Sequence, residues 1–212
     1  MKKNLLGLAL LSAVSLSQVA VAQEYDNRWY ISGTAGLLMP DSERFDAKDS
    51  GLWGIGIGKR INPNFGMEFS IDFAEPTFYE AYYGGLNEQW SLTSAFLDGR
   101  YYFVKEGRGW DPYIVGGIGA TEHDVAGFDG TEIAAKLGLG IETDRRKRVD
   151  YRLETGLRYD GHEETIFDGS DSRITIGAFT DYYVSASLLV KLGDLPVPVV
   201  APTCDTLDSD GD

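Results

Sequence analysis

Apolar and polar side chains alternate along the segment VDYRLETGLRY, residues 149–159. Tyr151 and Leu153 belong to one set of alternate positions, and Arg152 and Glu154 belong to the other. Because successive side chains of an extended chain point to opposite faces, this pattern predicts a strand with one apolar and one charged face. The same alternation recurs along the chain. The segment 112–121 is also predicted to be a strand, although its two faces cannot be distinguished. Together these segments predict eight strands: 29–37, 53–61, 65–73, 95–103, 112–121, 132–142, 149–159 and about 174–192.

The connections between the predicted strands alternate in length. Short turns and long polar loops follow each other along the chain, which is typical of an up-and-down barrel in a bacterial outer membrane. A soluble barrel or sandwich is the alternative, since one polar and one apolar face fits either environment. The short connections are 62–64, 105–111 and 143–148, and the long ones lie near 40–50, 74–89, 121–131 and 160–172.

The length and edges of the apolar face favour the membrane. Tyr151 to Tyr159 is eight residues, which extend over about 26 Å at ~3.3 Å each. With a tilt of about 40°, this projects to roughly 20 Å, close to the ~25 Å apolar band of outer-membrane barrels. We therefore predict an all-β fold, an eight-stranded antiparallel up-and-down transmembrane β-barrel over residues 23–192. Aromatic residues at the band ends form the expected interfacial girdle: Trp29, Trp53, Phe65, Phe73, Tyr101, Phe103, Tyr151 and Tyr159.

The other face of the strands predicts a charged lumen. Eight strands enclose a space only wide enough for side chains to fill. Opposite charges there should pair, because a lone buried charge is costly. The interior is thus predicted to be a polar plug, with at most a small gated pore. By parity, the lumen ion-pair network contains Glu68, Asp72, Asp98, Arg100, Lys136, Asp150, Arg152, Glu154 and Arg158.

The chain begins with MKKNLLGLALLSAVSLSQVAVA, which has the pattern of a secretory signal peptide cleaved after Ala22. Its removal takes away two lysines and no acid, so the net charge changes from −14 to −16. A protein this acidic, with no basic patch that has interleaved aromatic residues, is not expected to bind nucleic acid. We expect outer-membrane lipid and lipopolysaccharide as its surroundings.

Four short segments resemble the transmembrane barrel of the outer-membrane protein A family over about residues 27–203. They are RWYISGTAGLL, NPNFGMEFSIDF, YRLE and SLLVKLGD, and their order and spacing carry the resemblance. The resemblance implies that Glu68 and Arg152 match the carboxylate and guanidinium that pair across the family's lumen and control its conductance. The remaining partners of that network do not match by position, and Leu192 stands where many relatives have phenylalanine.

The C-terminal segment is expected to continue into a further domain. Residues 193–203 include LPVPVVAPT and read as a semi-rigid linker. Residues 204–212, CDTLDSDGD, resemble the start of a thrombospondin type-3 calcium repeat, with Asp208, Asp210 and Asp212 as candidate Ca²⁺ ligands. A lone cysteine, Cys204, also suggests a partner further on. In the family, such a repeat leads to a periplasmic peptidoglycan-binding domain.

Three functions follow from these observations. The first is a structural outer-membrane barrel that tethers the membrane to peptidoglycan, and the second is an adhesin or receptor acting through acidic extracellular loops. The third is a lipid-modifying enzyme. The histidines available for catalysis are His123 and His162, which are predicted to lie in loops beside Asp124 and Glu163. Surface histidines are the simpler interpretation, because no serine occupies a matching strand position. We expect no enzymatic activity.

Overall fold

A computed structural model describes residues 26–41, 47–77, 91–105, 107–125, 128–143, 147–161, 164–168, 172–176 and 178–194. Within these residues, no helix is long and apolar enough to cross a membrane. The secondary structure consists of strands, which are β1 Trp29–Met39, β2 Ser50–Asn62, β3 Phe65–Ala74, β4 Ser91–Tyr102, β5 Trp110–Val125, β6 Phe128–Thr143, β7 Val149–Asp160, β8 Glu164–Asp168, β9 Ser172–Ile176 and β10 Phe179–Lys191.

Eight of the strands close into a barrel. Each pairs antiparallel with its neighbour in the order β1-β10-β7-β6-β5-β4-β3-β2, and β2 pairs with β1 to complete the ring. In the pairing of β1 with β10, Tyr30 lies opposite Lys191 and Met39 opposite Tyr182. The predicted eight-stranded antiparallel up-and-down architecture is confirmed.

The short turns have local sequence causes. Between β2 and β3, the Asn62 side chain accepts a hydrogen bond from the Asn64 backbone N–H at 2.9 Å. Pro63 fixes its own φ between them, so Asn-Pro-Asn closes a tight turn. One end of the barrel, which we call the short-turn end, contains this turn and the turns between β4 and β5 and between β6 and β7. The start of β1 and the end of β10 lie there as well.

Two of the predicted loops at the opposite, long-loop end contain strand. The prediction of a loop over 121–131 is wrong, because β5 continues to Val125 and β6 begins at Phe128. Antiparallel hydrogen bonding does not need an apolar face, so a hairpin continues where the alternation has stopped. The predicted loop 160–172 holds β8, which pairs with β9 as a separate hairpin. The last barrel strand therefore begins at Phe179 rather than near residue 174.

The barrel is apolar outside and charged inside. Ile118, Leu137 and Leu139 are 70%, 67% and 61% exposed, whereas the alternate positions are buried or half-buried. A water-soluble protein of this size rarely exposes such a continuous apolar surface, and the outer face is the one suited to lipid.

Aromatic side chains lie near both edges of this surface. Trp110 and Tyr182 are also exposed there, although the sequence reasoning did not include them. At the short-turn end the predicted girdle residues are Trp29, Phe65, Tyr101, Phe103 and Tyr151, and at the long-loop end they are Trp53, Phe73 and Tyr159.

Candidate functional site in the barrel lumen

Arg152 is the centre of the lumen. Its guanidinium is 2.7 Å from the Glu68 carboxylate and 2.9 Å from the Glu142 carboxylate. It also donates a hydrogen bond to the Tyr30 hydroxyl at 3.0 Å, and that hydroxyl donates to Glu68 at 2.7 Å. The Cβ of a larger residue at Gly58 would overlap the Tyr30 ring, so this glycine makes the space for the tyrosine. Arg152 thereby joins β7 to β3, β6 and β1.

Arg100 forms a second junction next to the first. Its guanidinium lies 3.2 Å from Glu68, 3.4 Å from Asp98 and 3.4 Å from Glu154. Glu154 also accepts hydrogen bonds from the hydroxyls of Tyr113 at 2.7 Å and Tyr183 at 2.8 Å. These contacts bring β4, β5, β7 and β10 together.

The network continues towards the short-turn end. Arg60 lies 3.1 Å from Asp111 and 3.5 Å from Glu142, and its guanidinium stacks 3.9 Å from the centre of the Tyr102 ring. The Tyr102 hydroxyl donates to Glu142 at 3.0 Å. With Arg60 from β2, side chains from all eight barrel strands are connected through hydrogen bonds and ion pairs. We call this assembly the lumen network.

Asp26 and Arg28, which precede β1 in the sequence, add a further ion pair at the short-turn end. Their side chains form an ion pair of 2.7 Å, and Arg28 also donates to the backbone carbonyls of Lys147 and Gly193. Burial by itself would raise the pKa of the Asp26 carboxyl, but hydrogen bonds from the Arg28 side chain and backbone outweigh it and the pKa is lowered. The pair fastens the start of β1 to the turn between β6 and β7.

Polar side chains near the middle of the barrel surround a small cavity. Lys136 is 2.7 Å from Asp98, and Arg158 donates to the Ser94 hydroxyl. Asp72 also borders the cavity, and among the described residues no cation lies within 4 Å of its carboxylate. The cavity has a volume of about 30 Å³, which is enough for a water molecule at a polar site.

An apolar layer covers this cavity on the long-loop side. Its members are fully or almost fully buried and come from five strands around the lumen. Of these, the side chains of Leu52 and Tyr183 also line the cavity. The apolar layer consists of Leu38, Leu52, Ala74, Leu92, Phe179 and Tyr183.

The nine residues assigned to the lumen from the sequence are placed as follows. All are at least 92% buried, with Asp72 and Lys136 the most exposed at 8%. Eight of them contact other charged or polar side chains, including Asp150, which lies 3.5 Å from Lys191. Among the described residues, Asp72 and Arg158 have no ion-pair partner within 4 Å. The nine are Glu68, Asp72, Asp98, Arg100, Lys136, Asp150, Arg152, Glu154 and Arg158.

Sequence reasoning missed a large part of the network. Two of the missed residues could have been found from the alternation along β2 and β6. Arg60 and Glu142 are next in sequence to the outward-facing Ile61 and Ile141, so their side chains must face the lumen. The tyrosines carried no such signal, because a tyrosine near a strand end is equally typical of the lipid interface. The missed side chains are Tyr30, Arg60, Tyr102, Asp111, Tyr113, Glu142, Tyr183 and Lys191.

The histidine prediction needs a correction. His123 is not a surface loop residue: it lies in β5, is 98% buried, and its Nε2 is 3.7 Å from the Asp160 carboxylate. Because β5 extends further than the alternation indicated, His123 points inward and its neighbour Asp124 points outward. His162 and Glu163 lie outside the described residues.

The candidate calcium segment is also outside the described part of the chain. This applies to Cys204 and to Asp208, Asp210 and Asp212, as well as to residues 1–22 and the linker from residue 195. Among the residues that are described, no cluster of three or more His, Cys, Asp or Glu side chains could hold a metal ion.

Known structures share this architecture. The crystal structure of Neisserial surface protein A superimposes with a TM-score of 0.53 at 19% identity, covering 77% of this chain and 97% of that one. The N-terminal β-barrel domain of OprF from Pseudomonas aeruginosa has 15% identity, a TM-score of 0.41, and coverage of 77% and 98%. Ail, the attachment invasion locus protein of Yersinia pestis, has 12% identity, a TM-score of 0.42, and coverage of 78% and 99%. The similarity to Neisserial surface protein A, at this identity, supports the fold alone.

No curated protein matches the sequence significantly. The profile of the outer membrane protein beta-barrel domain family, in contrast, matches residues 6–190. That match spans all eight barrel strands except Lys191, the last residue of β10, and the apolar outer face is the one such a family requires. The chain belongs to the outer membrane protein beta-barrel domain family and is a transmembrane β-barrel of the bacterial outer membrane.

Proposed function

We propose that this protein is a structural outer-membrane barrel whose lumen is largely closed, with at most a small gated pore. The observation that carries the proposal is the lumen network, which connects side chains from all eight strands across the barrel section. Eight-stranded barrels of this width are filled by side chains. An ion can pass only if the ion pairs separate.

The pair between Glu68 and Arg152 is the proposed gate. The resemblance to the outer-membrane protein A family motivates this role, and the 2.7 Å separation supports it. We expect Glu68→Ala, inserted in a planar bilayer, to alter the size or lifetime of the conductance steps. Asp150→Asn, in the same lumen but outside the Glu68 contacts, is the matched control. Steps identical to the wild type in Glu68→Ala would argue against an ion-pair gate.

The apolar layer is proposed as a second barrier in series. Leu52 and Phe179 are 3% and 1% exposed and lie between the cavity and the long-loop end. An apolar constriction excludes ions because it offers no replacement for their hydration shell. We expect Glu68→Ala combined with Leu52→Ser to conduct more than either single variant. A double variant no more conductive than Glu68→Ala would contradict a second barrier.

Tethering to peptidoglycan is the finer part of the proposal. It rests on the resemblance of residues 204–212 to the start of a calcium repeat, and on the linker before it. The intact mass of the mature protein from outer membranes tests it directly. A mass above that of residues 23–212 by about one domain, together with co-sedimentation with peptidoglycan, is expected. A mass equal to residues 23–212 would exclude the tether.

Binding through the extracellular side is the second candidate function. β6 begins at Phe128 but pairs with β7 only from Ala134 onward, so the β5–β6 hairpin projects past its neighbour. Glu122 and Asp124 are exposed on it. We expect exchange of residues 122–132 for a short turn to leave the barrel folded. Loss of adhesion to cells or matrix in that variant would favour an adhesin, and unchanged adhesion would oppose it.

A further inference from the structure

The exposed and half-buried charges at the short-turn end are mostly basic, although Arg108 also lies 3.7 Å from the buried Asp111. Lys105 and Arg108 lie in the turn between β4 and β5, and Lys147 and Arg148 lie in the turn between β6 and β7. Lys59 faces outward on β2, in the same set of alternate positions as Ile57 and Ile61. Among the described residues at this end, the exposed acid is Asp194, since the other acidic side chains there are buried. We call the five cations the basic rim.

The basic rim lies at the level of the aromatic girdle. The Lys59 ammonium is 5.8 Å from the centre of the Trp29 ring, and the Arg108 guanidinium is 4.7 Å from the centre of the Trp110 ring. Both rings are about half exposed on the outer surface. Because Trp and Tyr side chains mark the headgroup level of a bilayer, these cations lie at the depth of lipid phosphates.

The opposite end of the barrel has the opposite charge. Glu75, Glu122 and Asp124 are exposed near the long-loop end, and Lys48 is an exposed cation there. The difference between the two ends separates charge along the barrel axis. In outer-membrane barrels the short turns face the periplasm, so the basic rim meets the inner leaflet.

From these placements we infer that the basic rim binds the headgroups of anionic glycerophospholipids, such as phosphatidylglycerol, around the periplasmic end of the barrel. Two of the five cations, Lys59 and Arg108, are held beside an aromatic ring at the bilayer surface, where the lipid phosphates lie. A polybasic surface at this depth attracts anionic lipid by about 1 kcal/mol per Lys or Arg, a preference of roughly fivefold. The inference depends on membership of the outer-membrane family and not on a closed lumen.

Tryptophan quenching by brominated lipid tests the inference at each end separately. The full chain is refolded into vesicles of phosphatidylcholine and phosphatidylglycerol, with bromine on the acyl chains of one lipid at a time. Trp53→Phe combined with Trp90→Phe leaves Trp29 and Trp110 as reporters at the basic rim. Trp29→Phe, Trp90→Phe and Trp110→Phe together leave Trp53 as the reporter near the long-loop end. We expect phosphatidylglycerol to be preferred about fivefold at the rim and not at Trp53.

Charge variants decide whether the rim causes the preference. Replacing all five rim cations with glutamine should abolish it, while exchanging each lysine and arginine for the other cation should retain it. Lys48→Gln, at the other end, should change nothing. Heat-dependent gel mobility shows whether the variant with all five substitutions folds. If it does not fold, the double variant Lys147→Gln with Arg148→Gln should still lower the preference for phosphatidylglycerol at the rim.

Three results would overturn the inference. The first is an equal preference at both ends, and the second is a preference that survives glutamine at the rim. The third is an absent lipid preference together with rim-dependent co-sedimentation of the protein with peptidoglycan, which would make the cell wall the partner of these cations.

Discussion

The two halves of the lumen are closed by different interactions. Towards the short-turn end, Arg152 and Arg100 hold carboxylates from several strands at 2.7–3.4 Å. Towards the long-loop end, Leu52 and Phe179 belong to a layer of buried apolar side chains. The lumen network is directional, because each bond depends on the position of both partners. The apolar layer depends on volume and contact, which several arrangements can satisfy.

This difference determines what each half can tolerate. Removing one partner from the lumen network leaves a charge buried without compensation, which costs more than the pair itself contributes. Removing volume from the apolar layer leaves a cavity, and nearby side chains or water can partly fill it. Single substitutions should therefore destabilise the protein more in the charged half. In the apolar half the loss of stability should increase gradually with the volume removed.

The largest expected effect comes from Arg152→Met, which removes the charge between Glu68 and Glu142. Two buried carboxylates then lose their shared partner, so we expect a loss of about 3–5 kcal/mol in the free energy of unfolding. Urea unfolding in lipid vesicles, followed by gel mobility, measures it. Arg148→Met removes an exposed cation and should cost less than about 0.5 kcal/mol. A loss below 1 kcal/mol for Arg152→Met would contradict the comparison.

Phe179→Ala should have the next largest effect. The side chain is 1% exposed and packs in the apolar layer, so we expect a loss of about 3 kcal/mol. Phe179→Leu keeps most of the volume and should cost under about 1.5 kcal/mol. The same urea titration separates the two variants. Equal losses for alanine and leucine would mean that volume is not what the apolar half requires.

Lys136→Met tests the border between the halves. Lys136 lies 2.7 Å from Asp98 and 4.9 Å from the centre of the Phe96 ring. Losing the ammonium should cost about 2–3 kcal/mol, because Asp98 keeps only the longer contact with Arg100. Adding Asp98→Asn should recover part of this loss, since the buried charge is then removed as well. Additive losses in the double variant would show that the two groups do not interact.

Much of the fold could be predicted from the sequence, because the two faces of each strand lie in different environments. Alternation near Leu153 and Arg152 indicates a strand because lipid and lumen impose opposite requirements on successive residues. Beyond the membrane this contrast ends, and the continuation of β5 to Val125 left no periodic trace. Inside the lumen, parity placed Arg152 and Glu68, but it does not specify which charges meet. Those pairings, like the position of Tyr30, depend on the register between strands that are distant in sequence.

The smallest effect is expected where the charged half approaches water. Asp26 pairs with Arg28 just before β1, and we expect Asp26→Asn to cost about 1 kcal/mol at pH 7. The hydrogen bonds from Arg28 lower the pKa of Asp26 below its ordinary value of 3.8. The wild-type carboxylate therefore stabilises the fold above pH 3.8, and this contribution is lost as the pH falls through the lower folded-state pKa.

The difference in unfolding free energy between wild type and Asp26→Asn measures this contribution. It should be constant well above pH 3.8 and shrink as the pH falls below 3.8, because wild-type Asp26 then becomes protonated too. Asp194→Asn, at an exposed acid of the same end, is the control and should cost less than Asp26→Asn at pH 7. A difference for Asp26→Asn as large as that for Arg152→Met would mean that proximity to water does not weaken the ion pair. The pair of Asp26 and Arg28 and the lumen network would then be electrostatically equivalent, contrary to their different neighbours.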